Sequence, residues 1–408
     1  MRPGILIILS ASLIVSAAAP ARYPGSKEHV VVTDAFETYW DDGYSGKLGI
    51  QVEEATIEDG GPRMTLAGKP LYVTGVNCYN LFVQCFERDN MGVGEIEETV
   101  RTLARQEVPI VRFSCGPYYA SQMGYYTDFR EKYLENLDHL ASLCDESHIL
   151  LIPSVFWNSS CVPDYRGEPL SAWGDKDSAT YSFMLEYTKD IVNTLKDHKS
   201  LAFWEFGNEF NLQADITGWG YPDLPARAVS MACEGFAELV RELDPEGRLI
   251  GSGHSIMRNA QWSLAKGASV NPDSLKADSF ARYAEISALM TPEPMMGMSE
   301  HIYEEPRVFS GLDTLDRESQ LAKAKEAAAM NGKVYYVGEF TGPRTAMGDS
   351  TLVKSHYDAY FNQRIQLSLV WNFALHGEIE WSFKEGDFDD IAFRYTRELN
   401  ERFKETDM

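Results

Sequence analysis

Eight short runs of apolar, often β-branched residues punctuate this chain, and each is followed by a segment with helical periodicity or by a long loop. The runs are Leu71–Val76, Pro109–Phe113, Ile149–Phe156, Leu201–Phe206, Arg248–Gly253, Met296–Tyr303, Lys333–Gly338 and Leu367–Phe373. Glu131–Glu146, Tyr181–Asp197, Ala228–Leu243 and Asp316–Met330 carry apolar residues at intervals of three and four, as a helix buried on one side requires. Short apolar strands alternating with such helices imply a parallel sheet covered by helices. Eight units are the number that closes a (β/α)8 TIM barrel. An open doubly wound sheet is the alternative that the alternation also permits.

Ahead of the first run, TIEDGGPRMTLAGKPLYVTGVN alternates apolar and polar residues around glycines and reads as a short N-terminal β-hairpin. The chain begins MRPGILIILSASLIVSAAAPARYPG, with one arginine ahead of an apolar run from Ile5 to Val15 that is followed by small residues. That run is about half of the roughly 20 residues needed to cross a bilayer, and it matches a signal peptide. The expected partition is a signal peptide over 1–21, an extension and hairpin over 22–70, and a barrel over 71–408. The expected destination is the periplasm or the exterior.

Of the 408 residues 44% are hydrophobic, enough for a large core, and 37 basic residues face 61 acidic ones for a net charge of −24. Such a surface repels phosphate backbones and anionic lipid, so no nucleic acid and no membrane partner is expected. A neutral ligand carries no such penalty, and a monomer is the simplest state. Six cysteines in an exported chain permit up to three disulfides, although small buried thiols are the other reading for some of them. None of them has CxxC spacing, and the eight histidines show neither HxH nor HExxH, so no metal is expected. No dinucleotide fingerprint and no GxSxG elbow is present, so no cofactor and no serine nucleophile is expected.

In a barrel of this kind the working residues sit where strands end at the C-terminal face. The fourth run leads into Asn208 and Glu209, and the seventh into Glu339. Two carboxylates from strands on opposite sides of the ring, facing each other over a gap of sugar size, suit glycoside hydrolysis. Alone, each would read as a surface carboxylate or a neighbour of a helix cap. Other strand ends add matching groups: Arg112, His301 and Tyr303 on one strand face, His254, and Trp371, which can offer a flat apolar platform. Glu205 lies deeper on the strand face of Glu209, placed to pair with a basic group such as Arg112.

With these residues the sequence resembles glycoside hydrolase family 5, the retaining (β/α)8 glycosidases, from about Leu71 to about Phe383. The resemblance implies that Glu209 is the acid/base and Glu339 the nucleophile, with Asn208 on the sugar 2-OH. It places Arg112, His301, Tyr303 and Trp371 in supporting roles. Trp157, Trp371 and Trp219 are expected to stack on sugar rings. Where many members carry a histidine after the third strand, this chain has Trp157 and Asn158. AFWEFGNE, SVFWN and GVNCYNLF are similar to the pattern of endo-β-mannanases. The expected substrate is therefore a neutral β-linked polysaccharide or oligosaccharide, with β-1,4-mannan first. A β-1,4-glucan, an exo-acting β-glycosidase and a barrel that binds glycans without cutting them remain alternatives.

Overall fold

In the computed structural model the described residues are 32–87, 91–216, 223–268, 275–303, 307–341, 350–376, 382–385 and 391–406. The expected signal peptide and Trp219 lie outside them. An antiparallel sheet of three strands comes first: β1 (Gln51–Glu53), β2 (Arg63–Leu66) and β3 (Lys69–Pro70). The expected hairpin is β2–β3, turned by Ala67 and Gly68, both at positive φ as a two-residue hairpin turn demands. β1 pairs with β2 and makes the third strand.

All eight expected barrel strands are present as β4 (Val73–Asn77), β5 (Ile110–Ser114), β6 (Leu150–Phe156), β7 (Trp204–Gly207), β8 (Ile250–Gly251), β9 (Gly297–Ile302), β10 (Val334–Phe340) and β11 (Leu367–Val370). They pair in chain order, and β11 returns to β4, so the sheet closes and leaves no edge. Closure rules out the open doubly wound sheet. A helix follows every strand, among them Arg130–Ser147, Ala179–Leu195, Ala226–Leu243 and Arg317–Met330 at the expected places. Ser178 and Asp316 cap two of these helices by accepting from Tyr181 N and Ser319 N. Among the described residues no helix is long and apolar enough to cross a membrane.

Two apolar layers place the site. One lies between the barrel and its helices and includes Trp204, Phe206 and Phe236. The other fills the barrel floor, where Ile110, Ile152, Phe203, Tyr336 and Leu369 point inward. Beneath them pack Phe36, Tyr39 and Trp40 of the helix Asp34–Trp40, a helix that the sequence reading passed over as an extension. The floor is thus sealed by the N-terminal segment, and the polar inward residues Asn77, Arg112 and Glu205 form the layer above it. A Cβ on Gly75 would come within 2.1 Å of Ile110 O, so the inward face of β4 must be bare at this level. The six cysteines are all free and buried, so the disulfides that the count permitted are not formed.

Candidate active site

β10 departs from regular alternation. Val337 pairs with Glu300 and Glu339 with His301, which leaves Gly338 as an extra residue in a bulge. Tyr336 points into the barrel, so strict alternation would turn Glu339 outward; the extra residue turns it back to the mouth. Only glycine fits there, because a Cβ would stand 2.7 Å from Ser299 Oγ and 2.8 Å from His301 Nε2. Glu209 follows β7 with φ at +54°, and its backbone N donates to Gly253 O at 2.9 Å. β8 and β9 stand between β7 and β10, so the two glutamates are three strands apart and not diametrically opposed.

The carboxylates nonetheless converge. His301 Nδ1 lies 3.0 Å from Glu209 Oε1 and 3.4 Å from Glu339 Oε1, and the three groups offer atoms all within 4.8 Å of one another. Arg112, fully buried, ties the floor of the site together. It donates through Nε to Glu205 Oε1 at 2.6 Å, through Nη1 to Glu339 Oε1 at 2.8 Å and Asn77 Oδ1 at 3.1 Å, and through Nη2 to Asn208 Oδ1 at 2.9 Å. Tyr303 OH donates to Glu339 Oε2 at 2.8 Å, and Tyr336 OH to Glu205 Oε2 at 2.7 Å. Burial, then the charge of the neighbouring carboxylate, raises both phenols far above their ordinary value and keeps them donors. One histidine and two carboxylates could in principle ligate a cation, but the Arg112 guanidinium already supplies a positive charge at Glu339.

The proton balance of the pair follows from these contacts. Burial pushes Glu339 above the ordinary carboxylate range against the pull of His301 and Arg112. Burial pushes Glu209 up as well, but the hydrogen bond and charge of a protonated His301, with Ser255 and Arg112, outweigh it and leave Glu209 lowered. That order is tied to the charge on His301. Glu339 Oε1 accepts from Arg112, which can only donate, whereas Glu209 faces a ring nitrogen of His301 that is an acceptor in one tautomer of the neutral imidazole. With His301 neutral in that tautomer, the pull on Glu209 is gone and the negative charge of Glu339 raises it. The pair then holds one proton on Glu209 and the charge on Glu339.

Trp157 lies against Arg112, with the guanidinium 4.7 Å from its ring centroid, and against Trp371 at 6.1 Å. The Trp371–Asn372 peptide is cis, and Asn372 Oδ1 accepts from Tyr79 N at 2.8 Å. Two expected residues are employed otherwise. His254 is buried; its Nε2 lies 2.9 Å from Met290 O, and burial lowers it to about 4, so it is a neutral interior ring and does not line the cleft. Asn158 Nδ2 donates to Tyr118 O at 3.0 Å and its Oδ1 accepts from Ser160 N at 3.1 Å, so it braces its own loop against the one after β5. Asn77, Ser255, Tyr118 and Tyr336 joined the site unannounced. Asn77 and Tyr336 were findable as polar groups at inward register; nothing in the sequence marked the others.

Neither a family model nor a curated protein sequence matches this chain. Solved structures do. The endo-1,4-β-mannanase of Rhizomucor miehei aligns with a TM-score of 0.61 at 15% identity over 86% of this chain and 99% of its own. The β-mannanase of the blue mussel Mytilus edulis gives 0.58 at 15% identity over 88% and 97%. The catalytic domain of the Thermobifida fusca endoglucanase Cel5A gives 0.53 at 14% identity over 86% and 97%. At such identities the likeness is one of fold: this chain shares the (β/α)8 barrel of these two mannanases and this endoglucanase.

Proposed function

We propose that the protein is a retaining glycoside hydrolase acting on a neutral β-linked glycan, with Glu209 as acid/base and Glu339 as nucleophile. The observation that carries this reading is the placement of Glu209 and Glu339 with oxygens no more than 4.8 Å apart at the mouth of the barrel. Retaining enzymes hold their carboxyl groups about 5 to 5.5 Å apart, and inverting ones hold them about 6.5 to 9.5 Å apart to admit a water.

In the first step a Glu339 oxygen bonds to the anomeric carbon as the C–O bond to the leaving sugar breaks, and Glu209 gives its proton to the departing oxygen. In the second step Glu209 takes a proton from water, the water oxygen bonds to the anomeric carbon, and Glu339 leaves as carboxylate. Arg112 and Tyr303, which donate to Glu339, stabilise that carboxylate when it leaves, and Asn208, whose Oδ1 accepts from Arg112, meets the 2-OH in this reading. No charged group of the substrate is required, in keeping with the −24 charge of the chain.

Mannan is the first substrate to test, because mannanases recur among the matching folds, and glucan the second, because Cel5A is an endoglucanase. The signal-like start supports export. Purified protein incubated with mannan, glucan and xylan, with products resolved by chromatography, identifies the glycan. Glu209→Ala and Glu339→Ala are each expected to abolish release by several orders of magnitude. Azide added to Glu339→Ala is expected to yield a glycosyl azide of inverted anomer. Near-normal turnover by either variant overturns the assignment.

A further inference from the structure

We propose that five aromatic rings, Trp371, Trp157, Tyr79, Tyr118 and Tyr119, form one arm of an extended glycan cleft, and that Tyr119 is its outermost platform. The substrate is then a chain of several sugars. This inference rests on the glycosidase reading and adds the length of the ligand and the side from which it enters.

The rings form an unbroken series. Trp371 and Trp157 are 6.1 Å apart, Trp157 and Tyr79 4.9 Å, Tyr79 and Tyr118 6.1 Å, and Tyr118 and Tyr119 4.6 Å. They follow the ends of β11, β4, β5 and β6, neighbouring strands of the barrel. Trp157, which packs on Arg112, is the most buried ring at 5% exposure, Trp371, Tyr79 and Tyr118 are half-buried, and Tyr119 is 60% exposed. The inner end adjoins the reacting groups. Trp157 there covers the Arg112 guanidinium, which donates to Glu339.

A single exposed tyrosine means little on a protein surface. Tyr119 differs because its backbone is pinned. Gln122 Oε1 accepts from both Tyr118 N at 3.0 Å and Tyr119 N at 3.1 Å, while Asn158 Nδ2 holds Tyr118 O. A ring presented to solvent on a fixed loop loses little freedom when a ligand covers it. The CH face of a pyranose suits the negative face of such a ring. The other exposed large hydrophobic residues among those described include two aromatic ones. Phe129 follows β5, as Tyr119 does, and Tyr165 follows β6, with its OH 3.5 Å from Thr127 Oγ1 of the segment after β5. The remainder, Ile57, Leu289, Leu312 and Met330, are aliphatic.

The test compares Tyr119→Ala, Tyr119→Phe and the unsubstituted protein on β-1,4-linked mannotriose and mannohexaose. Tyr119→Ala is expected to lose about 3- to 10-fold in kcat/KM on the hexaose, mostly through KM, and to keep its value on the triose. Tyr119→Phe should behave as the unsubstituted protein, since the ring and not the hydroxyl does the stacking. Equal effects on both sugars, or none on either, overturn the proposal. Calorimetric titration of Glu339→Gln protein with mannohexaose and cellohexaose reads the platform without hydrolysis, so it decides the matter even if no sugar is cleaved. Weaker hexaose binding on adding Tyr119→Ala supports the platform. Unchanged binding, or no binding of either hexaose while Tyr119 is present, overturns it.

Discussion

Arg112 Nη1 donates to Glu339 Oε1 at 2.8 Å while Nε of the same guanidinium donates to Glu205 Oε1 at 2.6 Å, so one buried cation is shared by two buried carboxylates. The planar fork serves four acceptors at once, which an ammonium group cannot do. Arg112→Lys is therefore expected to lower kcat/KM by about 10² to 10³-fold with the fold retained. Arg112→Met goes further, because Glu205 keeps only the donor Tyr336 OH. Stability should fall by about 3 to 5 kcal/mol, read from the midpoint of denaturant unfolding. A lysine variant with near-normal turnover would show that the bridge to Glu339 is idle.

Tyr303 acts on the other oxygen of the nucleophile, and its loss has a definite sign in pH. Its hydroxyl donates to Glu339 Oε2 and favours the ionised carboxylate, which burial opposes. Tyr303→Phe removes that donor, so the Glu339 pKa rises further. Attack requires the ionised form, so the acid limb of kcat/KM moves to higher pH and activity disappears first on the acidic side. The alkaline limb, where Glu209 loses its proton, should stay in place. The plateau is expected to fall by about 10²-fold. A pH profile of the variant that shifts to lower pH, or shifts both limbs together, contradicts this arrangement.

How far the sequence disclosed this molecule follows from the kind of signal each feature leaves. The strands buried on both faces had to be apolar, so β5 and β6 stood out, and the closed order of strands followed from their number. Arg112 and Glu205 were legible because each is an ionisable residue at an inward position in an apolar run, which only mutual pairing makes tolerable. Asn158 and His254 hold backbone in a way that the sequence did not disclose, for one shared reason. Position after a strand puts a residue near the mouth, but its hydrogen-bond partners decide its use, and Tyr118 O and Met290 O are backbone atoms of another loop and of a helix end. The helix Asp34–Trp40 was missed because seven residues are too few to display a helical period.

The bulge at Gly338 left no trace in the alternation that the sequence offers, yet the direction of Glu339 depends on it. Gly338→Ala is expected to move Ser299 or His301, since a Cβ would meet both below 3.0 Å. His301 contacts Glu209 and Glu339, so displacement of its ring disturbs the pair directly. An error of about 1 Å at reacting groups can cost about 10²-fold in rate, and a loss of that order is expected here with circular dichroism unchanged. Adding Ser299→Ala relieves one of the two collisions and should restore part of the activity. Full activity in Gly338→Ala would mean that the bulge does not orient the nucleophile.

The cysteines carry a final prediction that joins compartment to chemistry. All six are free and buried, and burial raises each thiol, with Cys85 and Cys161 pushed up to about 12. The thiolate is the form that reacts, so these groups lack both ionisation and access. Cys161 Sγ has the Met123 sulfur at 3.5 Å as its neighbour and packs as a small apolar group. Native protein should therefore give no colour with a thiol-specific aromatic disulfide reagent, and protein in guanidinium should give all six equivalents. Reducing agent should leave both Tm and activity unchanged, even for protein recovered from an oxidising compartment. Each disulfide would subtract two equivalents from the denatured count and add a reductant-sensitive share of stability, typically about 2 to 4 kcal/mol. A count of four or fewer would show that export of this chain is coupled to oxidative folding, and that its core does not hold the barrel closed unaided.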